Sequence, residues 1–203
     1  LRNLPVKPHG SPVLYYNGRE KPAQVHAAVI DQRISPRDLQ QCADAIMRLR
    51  GEYLFGLKRY REISFTLANG MRSAYTDRVG PDRSYGRFLW YMDHVFAYAN
   101  TASMFRDTVQ VDLDAMRPGD FFLQRGQPYG HAVLVIDVAE NPRTGDRMML
   151  LAQSYMPAQE THVLINTLSR HSPWYPARIG ARLVTPEWEF LPGDLRRYRN
   201  STP

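Results

Sequence analysis

One cysteine and one well-placed histidine are the minimal set for thiol nucleophilic catalysis, and this chain carries both. The cysteine is Cys42, the only one in 203 residues. The histidine is His131, in Gly130-His131-Ala-Val-Leu-Val-Ile-Asp137, which follows Arg117-Pro-Gly-Asp-Phe-Phe-Leu123. The pattern reads as a turn, a strand, a glycine-bearing loop and a second strand that begins on the histidine. A histidine at the mouth of a buried strand is held rigidly and still reaches solvent, which suits a general base. The chemistry would be acyl transfer. The sulfur attacks a carbonyl, and the imidazole takes the thiol proton and returns it to the leaving group.

A third polar group can orient such an imidazole and fix its tautomer. If Ala132–Val138 and Met148–Gln153 form a hairpin, the end of the second strand lies beside the start of the first. Gln153 then neighbours His131, and Ser154 or Tyr155 could serve at the same end. Each candidate also has a plainer reading. Cys42 could be a core residue on an apolar helical face. His131 could be a strand-end histidine bonded to a loop carbonyl, and Gln153 a solvated strand end. Asp120, after Pro118-Gly119, reads as a turn residue that accepts from backbone amides. Asp137 lies at the far end of its strand from His131.

The elements that must position these residues follow from periodicity and turn chemistry. Val13–Tyr16, then Asn17-Gly18, predicts an N-terminal β-hairpin with Val25–Ile30 as the partner strand. Ser35-Pro36 opens a helix, with Asp38 in its first turn. Its apolar face is Leu39, Cys42, Ala43, Ile46, Leu49, Tyr53 and Leu54, and it ends near Gly56. On that boundary Cys42 sits about two turns in. If 35–40 is irregular instead, Cys42 falls in the first turn, where the helix dipole lowers a thiol pKa. Ile63–Leu67 reads as a short strand closed by Asn69-Gly70, and 70–83 as a loop. Ser84 caps a second helix with Phe88, Leu89, Met92, Val95 and Phe96 inward. Thr101 or Ser103 caps a short third one. Val109–Leu113, Phe121–Gln124, Ala132–Val138 and Met148–Gln153 read as strands, and a tail rich in Pro and aromatics adds Ala181–Val184. Helices followed by a run of strands predict an α+β fold, an antiparallel sheet packed against the helix that carries Cys42. We expect a single domain over 1–203: an N-terminal hairpin and extension (1–34), a helix-plus-sheet core (35–156) and a wrapped tail (157–203).

Composition narrows the function classes. Hydrophobic content of 43% and charged content of 23% suit a folded globular chain. No apolar run approaches the ~18–20 residues of a membrane helix, so no transmembrane segment is expected. The start, Leu1-Arg-Asn-Leu-Pro5, lacks the apolar region of a signal peptide and begins without Met. A single Cys excludes a disulfide framework and a zinc site built on several thiolates. The 6 histidines show no i, i+4 pair. No phosphate loop, dinucleotide fingerprint or GxSxG elbow occurs, so neither cofactor nor metal is expected. The net charge of +6 comes from scattered basic residues without an interleaved aromatic tract. Nucleic acid is therefore not an expected partner, while an anionic polymer such as cell wall is compatible.

Pro118-Gly-Asp120-Phe-Phe, Gly130-His131 opening an apolar strand, and Leu151-Ala-Gln153-Ser154 together resemble the second half of papain-like cell-wall hydrolases, the CHAP amidases and NlpC-type endopeptidases. Gln41-Cys42-Ala43 looks like the Gln-Cys that opens the nucleophile helix of CHAP enzymes. The resemblance implies a papain-like or NlpC-like core with Cys42 as nucleophile, His131 as base and Gln153 as orienting group. It also implies Gln41 as an oxyanion contact, with Ser154 and Tyr155 near substrate, and peptidoglycan peptide or another amide as that substrate. Two departures stand out. Gln41-Cys-Ala-Asp44 replaces the Asp-Cys-Ser-Gly of NlpC enzymes, and a Gln orients an imidazole without supplying charge.

Longer stretches are similar to a bacterial family, domain of unknown function 4846: Leu1-Arg-Asn-Leu-Pro5, Asp38–Ala45, Arg48–Arg50, Glu52–Leu54, Gly130–Val133 and Leu150–Gln159. That similarity implies an envelope or periplasmic protein made with an export signal, and is compatible with a lipid anchor ahead of Leu1. The alternative to a hydrolase is a non-catalytic envelope protein that binds glycan or peptide in the same cleft. Trp174, Tyr175 and Trp188 would then line a groove, or else simply pack on the sheet.

Overall fold

The computed structural model describes residues 1–126, 129–169 and 171–199. Part of the predicted loop ahead of His131 (Gln127 and Pro128), Arg170 and the last four residues of the tail lie outside the described residues. In chain order the elements are β1 (His26–Val29), α1 (Cys42–Gly56), β2 (Ser64–Thr66), β3 (Arg72–Ala74), α2 (Tyr75–Val79), α3 (Tyr85–Tyr98), α4 (Thr101–Arg106), β4 (Thr108–Gln110), β5 (Phe121–Gln124), β6 (His131–Glu140), β7 (Arg147–Gln153), β8 (His162–Leu164), β9 (Tyr175–Pro176), β10 (Leu183–Val184), β11 (Glu189–Phe190) and β12 (Leu195–Tyr198).

The fold is mixed α+β. An 8-stranded sheet runs β1-β8-β7-β6-β5-β12-β4, with β9 paired to β7. Its pairings are antiparallel. The meander β5-β6-β7 appears as the sequence predicts, with Phe121 opposite Leu134 and Leu134 opposite Ala152. β6 is buried on both faces because its alternate residues enter different cores. Ala132, Leu134 and Ile136 pack with the helices, among Ile46, Phe88, Met92 and Val95. Val133 and Val135 pack on the other face against Tyr175, Leu183 and Phe190 from the tail. This two-sided burial explains why β6 reads as a continuous apolar run rather than an alternating one.

Several expectations are corrected. Val13–Tyr16 does not pair with Val25–Ile30. The chain turns back at once, with Tyr15 N–H on Arg19 O and Leu14 bridged to Glu20. Gly18 supplies the left-handed φ of +82° that this turn requires. Residues 26–29 instead pair with β8 across the sheet edge. The segment 70–83 is not a plain loop but holds β3 and α2, because Asn69-Gly70 turns β2 back onto β3. The cap of α4 is Asn100, neither Thr101 nor Ser103, and its side chain accepts from Ser103 N–H at 2.8 Å. Tyr53 does not face the core and is 58% exposed. Strand β4 stops at Gln110. In the tail, Leu183–Val184 pairs with β11 in a separate two-stranded ribbon, while β8, β9 and β12 from the same tail join the main sheet, β12 between β5 and β4.

The most consequential correction concerns α1, which begins at Cys42 and not at Pro36. Two patterns compete, Ser35-x-x-Asp38 and Gln41-x-x-Asp44. The second wins because Asp44 Oδ2 accepts from Gln41 N–H at 3.0 Å. The groups of 38–40 are drawn elsewhere: Asp38 Oδ1 accepts from Ala158 N–H at 2.7 Å, and Gln40 O accepts from the Ser154 hydroxyl at 3.1 Å.

Candidate active site

A cleft of about 460 Å³ opens where the start of α1 meets the start of β6. Cys42, Asp44, Gln41, His131, Tyr155 and Trp188 line it. As the first residue of α1, Cys42 lies in the position where the helix dipole favours a thiolate. The backbone amides of Ala132, Ala43 and Cys42 itself also favour the thiolate. Burial outweighs them and, with the Asp44 carboxyl, pushes the thiol up to about 11. The resting group at neutral pH is therefore a thiol. Asp44 sits in the same first turn, 7% exposed, with Oδ1 buried and without a hydrogen bond. Burial pushes its carboxyl up to about 8, against the hydrogen bond from Gln41 N–H.

His131 is 2% exposed and caged by aromatic rings. Tyr155 lies 4.7 Å away between centroids, Trp188 5.3 Å and Phe190 5.9 Å. Burial and the Lys21 cation pull its pKa down to about 4, so the ring is neutral at pH 7. Gln153 lies where the hairpin geometry puts it, with Oε1 2.9 Å from His131 Nε2. Nδ1 is the ring nitrogen left over. Among the described residues no hydrogen bond joins it to the Cys42 sulfur. Alternation along β6 gives the reason. Ala132, whose amide faces Cys42, packs on the helix side, so His131 projects from the opposite side and reaches the cleft around the strand end.

Behind Gln153 stands a network that sequence reasoning missed. Gln153 Nε2 donates to Glu187 Oε2 at 2.7 Å, and Glu187 Oε1 is paired with Lys21 Nζ at 2.6 Å. His162, fully buried, has Nε2 3.4 Å from the same amide nitrogen and Nδ1 2.9 Å from Glu160 O. Glu187 and Trp188 arrive on the tip of the β10–β11 hairpin, where Thr185 N–H donates to Trp188 O. Trp188 Nε1 donates to Gln124 Oε1 at 2.9 Å, which anchors the tip to β5. The only sequence trace of this was the aromatic tail. Of its aromatics, Trp188 lines the cleft, while Tyr175 is 2% exposed in the core of the other face.

The remaining candidates divide. Tyr155 lines the cleft, its phenol pushed up by burial, Glu187 and Cys42. Gln41 lines it too, but its Nε2 donates to Asp38 Oδ1 at 3.2 Å rather than into the cleft. Ser154 lies behind the wall, fully buried, with its hydroxyl on the carbonyls of Gln40 and Gln159. Asp120 is structural, as its turn position suggests: Oδ2 accepts from Arg117 N–H at 2.9 Å, and Arg197 adds a two-pronged ion pair. Among the described residues, no group of three or more His, Cys, Asp or Glu is placed to hold a metal ion. No helix among them is long and apolar enough to cross a membrane.

The family model described as domain of unknown function (4846) matches residues 1–80 and 72–197. No curated protein and no solved structure matches the chain.

Proposed function

We propose that this chain, which belongs to the domain of unknown function (4846) family, is a cysteine hydrolase of the bacterial envelope that cleaves an amide in peptidoglycan peptide or a related polymer. The observation that carries the reading is the convergence of Cys42, first residue of α1, and a His131–Gln153 hydrogen-bonded pair on one cleft. The papain-like identity of the core belongs to this proposal. It is supported by the order of the parts: nucleophile at a helix start, histidine at a strand start, amide on the next strand.

The steps follow from the resting states. Thiol and imidazole both start neutral. Substrate displaces water from the cleft and brings its carbonyl carbon to the sulfur. The imidazole nitrogen not bonded to Gln153 accepts the thiol proton as the C–S bond forms, then returns it to the leaving nitrogen as the C–N bond breaks. Water then cleaves the thioester by the same base. A backbone amide at the start of α1 supplies the oxyanion contact in this reading. Beyond the cleft, Arg125 leads into a groove with Arg196, both guanidiniums over the Phe105 ring at 4.3 and 3.5 Å. Arg125 is the exposed cation of that groove, since Arg196 is buried on Thr108 and Asp194 lines the same wall.

A second reading, a binding protein using the same cleft, is favoured by the thiol pKa near 11 and by the missing sulfur–imidazole hydrogen bond. Incubation with purified peptidoglycan fragments decides between them. The hydrolase releases new amino groups, and Cys42→Ala abolishes the release while retaining binding. Binding without release by the wild type would favour the second reading.

A further inference from the structure

We infer that Glu187 and His162 are positioning residues that lock the Gln153 amide and, through it, hold His131 in the single tautomer with a proton on Nε2 and a bare Nδ1. The inference rests on the reading of Cys42 and His131 as a catalytic pair. It starts from donors and acceptors. Glu187, held by Lys21 at 2.6 Å, presents a carboxylate oxygen 2.7 Å from the Gln153 amide, and a carboxylate only accepts. The amide must therefore turn its NH2 group toward Glu187 and its oxygen toward His131.

His162 supports the same orientation through a longer contact that does not hold the amide alone. Its Nδ1 lies 2.9 Å from the Glu160 carbonyl, which only accepts, so the neutral ring carries its proton on Nδ1. Its Nε2 is then an acceptor, 3.4 Å from the same Gln153 nitrogen. Both amide protons have acceptors, and a flipped amide would set an oxygen against each. With the amide fixed, the Gln153 oxygen 2.9 Å from His131 Nε2 demands a proton there. The lone pair is left on Nδ1, the nitrogen that can serve the cleft. A glutamine alone accepts either histidine tautomer; the selection comes from the residues behind it. Glu187 also places a carboxylate one amide away from the imidazolium that forms during turnover, which Gln153 itself cannot provide.

Nitrogen NMR of the full chain, labelled at histidine and assigned with His131→Gln, reads the tautomer directly. At pH 7 the wild type should show His131 protonated on Nε2 only; protonation on Nδ1 overturns the inference, whatever any variant does. Glu187→Gln, isosteric but able to donate or accept, should give a mixture of tautomers. It should also slow iodoacetamide alkylation of Cys42 about tenfold, a part of the ~100-fold or more that a positioned base contributes. A wild-type spectrum and rate in folded Glu187→Gln overturn it. Loss of the ion pair alone would lower thermal stability without moving the tautomer. If His131→Gln alkylates like wild type, the catalytic pair itself fails, while the NMR result still stands or falls on its own.

Discussion

The Asp44 carboxyl and the Cys42 thiol share the first turn of α1, and the carboxyl opposes ionisation of the thiol. Asp44 itself titrates near 8, so its repulsion is weak at neutral pH and sets in above that value. Asp44→Asn keeps an oxygen to accept from Gln41 N–H and removes the charge. Its alkylation rate with iodoacetamide should match wild type at pH 6.5. At pH 9 it should exceed wild type severalfold, because the carboxylate that opposes the thiolate is gone. Equal rates at pH 9 would show that burial alone sets the thiol.

The same carboxyl shapes stability. Its folded value, about 8, lies above the ordinary 3.8, so the folded state keeps the proton longer than the unfolded chain. The resulting penalty is absent at acid pH, grows as pH rises from about 4 to 8, and is constant above. Asp44→Asn should therefore gain roughly 2–5 kcal/mol over wild type at pH 8.5 and very little at pH 4.5. Urea unfolding at the two values checks it; a difference independent of pH would contradict the buried carboxyl.

How far the site was legible depended on the range of the contacts that build it. The His131–Gln153 contact was readable because a hairpin with an apolar pattern fixes its own register, and the strand ends then meet. The helix start was not. Ser35-Pro36 is the better local start signal, and it is overridden by Ser154 and Ala158, 114 and 120 residues from their partners Gln40 and Asp38. Glu187 was invisible for a stronger version of the same reason. It sits 34 residues from Gln153 and reaches it only because the β10–β11 hairpin folds over the far face of the sheet. For the thiol, the sequence leaves both a helix-start position and a buried core position open, and burial outweighs the dipole.

Buried neutral histidines predict acid sensitivity. Burial lowers His131 to about 4 from an ordinary 6.5, so the unfolded chain binds the proton first as pH falls. The stability this site contributes is complete above about 6.5 and is lost as pH drops through 4. Because Asp44 acts in the opposite direction over part of that range, the difference between wild type and His131→Gln is the useful quantity. That difference should shift against wild type by on the order of 3 kcal/mol between pH 7 and pH 4. Chemical denaturation across that range measures it, and a flat difference would mean that the ring is hydrated and titrates normally.

Asp120 holds the turn that leads into β5 and ties it to Arg197 of the neighbouring β12. It is 1% exposed, accepts from Arg117 N–H, and pairs with Arg197 Nε at 2.6 Å and Nη2 at 2.8 Å. Asp120→Ala leaves a guanidinium facing a buried gap and an amide without its acceptor, which should cost roughly 3–5 kcal/mol. Arg197→Met should cost a similar amount, because it leaves a carboxylate that is 1% exposed without its cation, though still bonded to Arg117 N–H. Equilibrium unfolding of both variants compares the two costs. If Arg197→Met proved far less damaging, the turn hydrogen bond and not the pairing would be what Asp120 contributes.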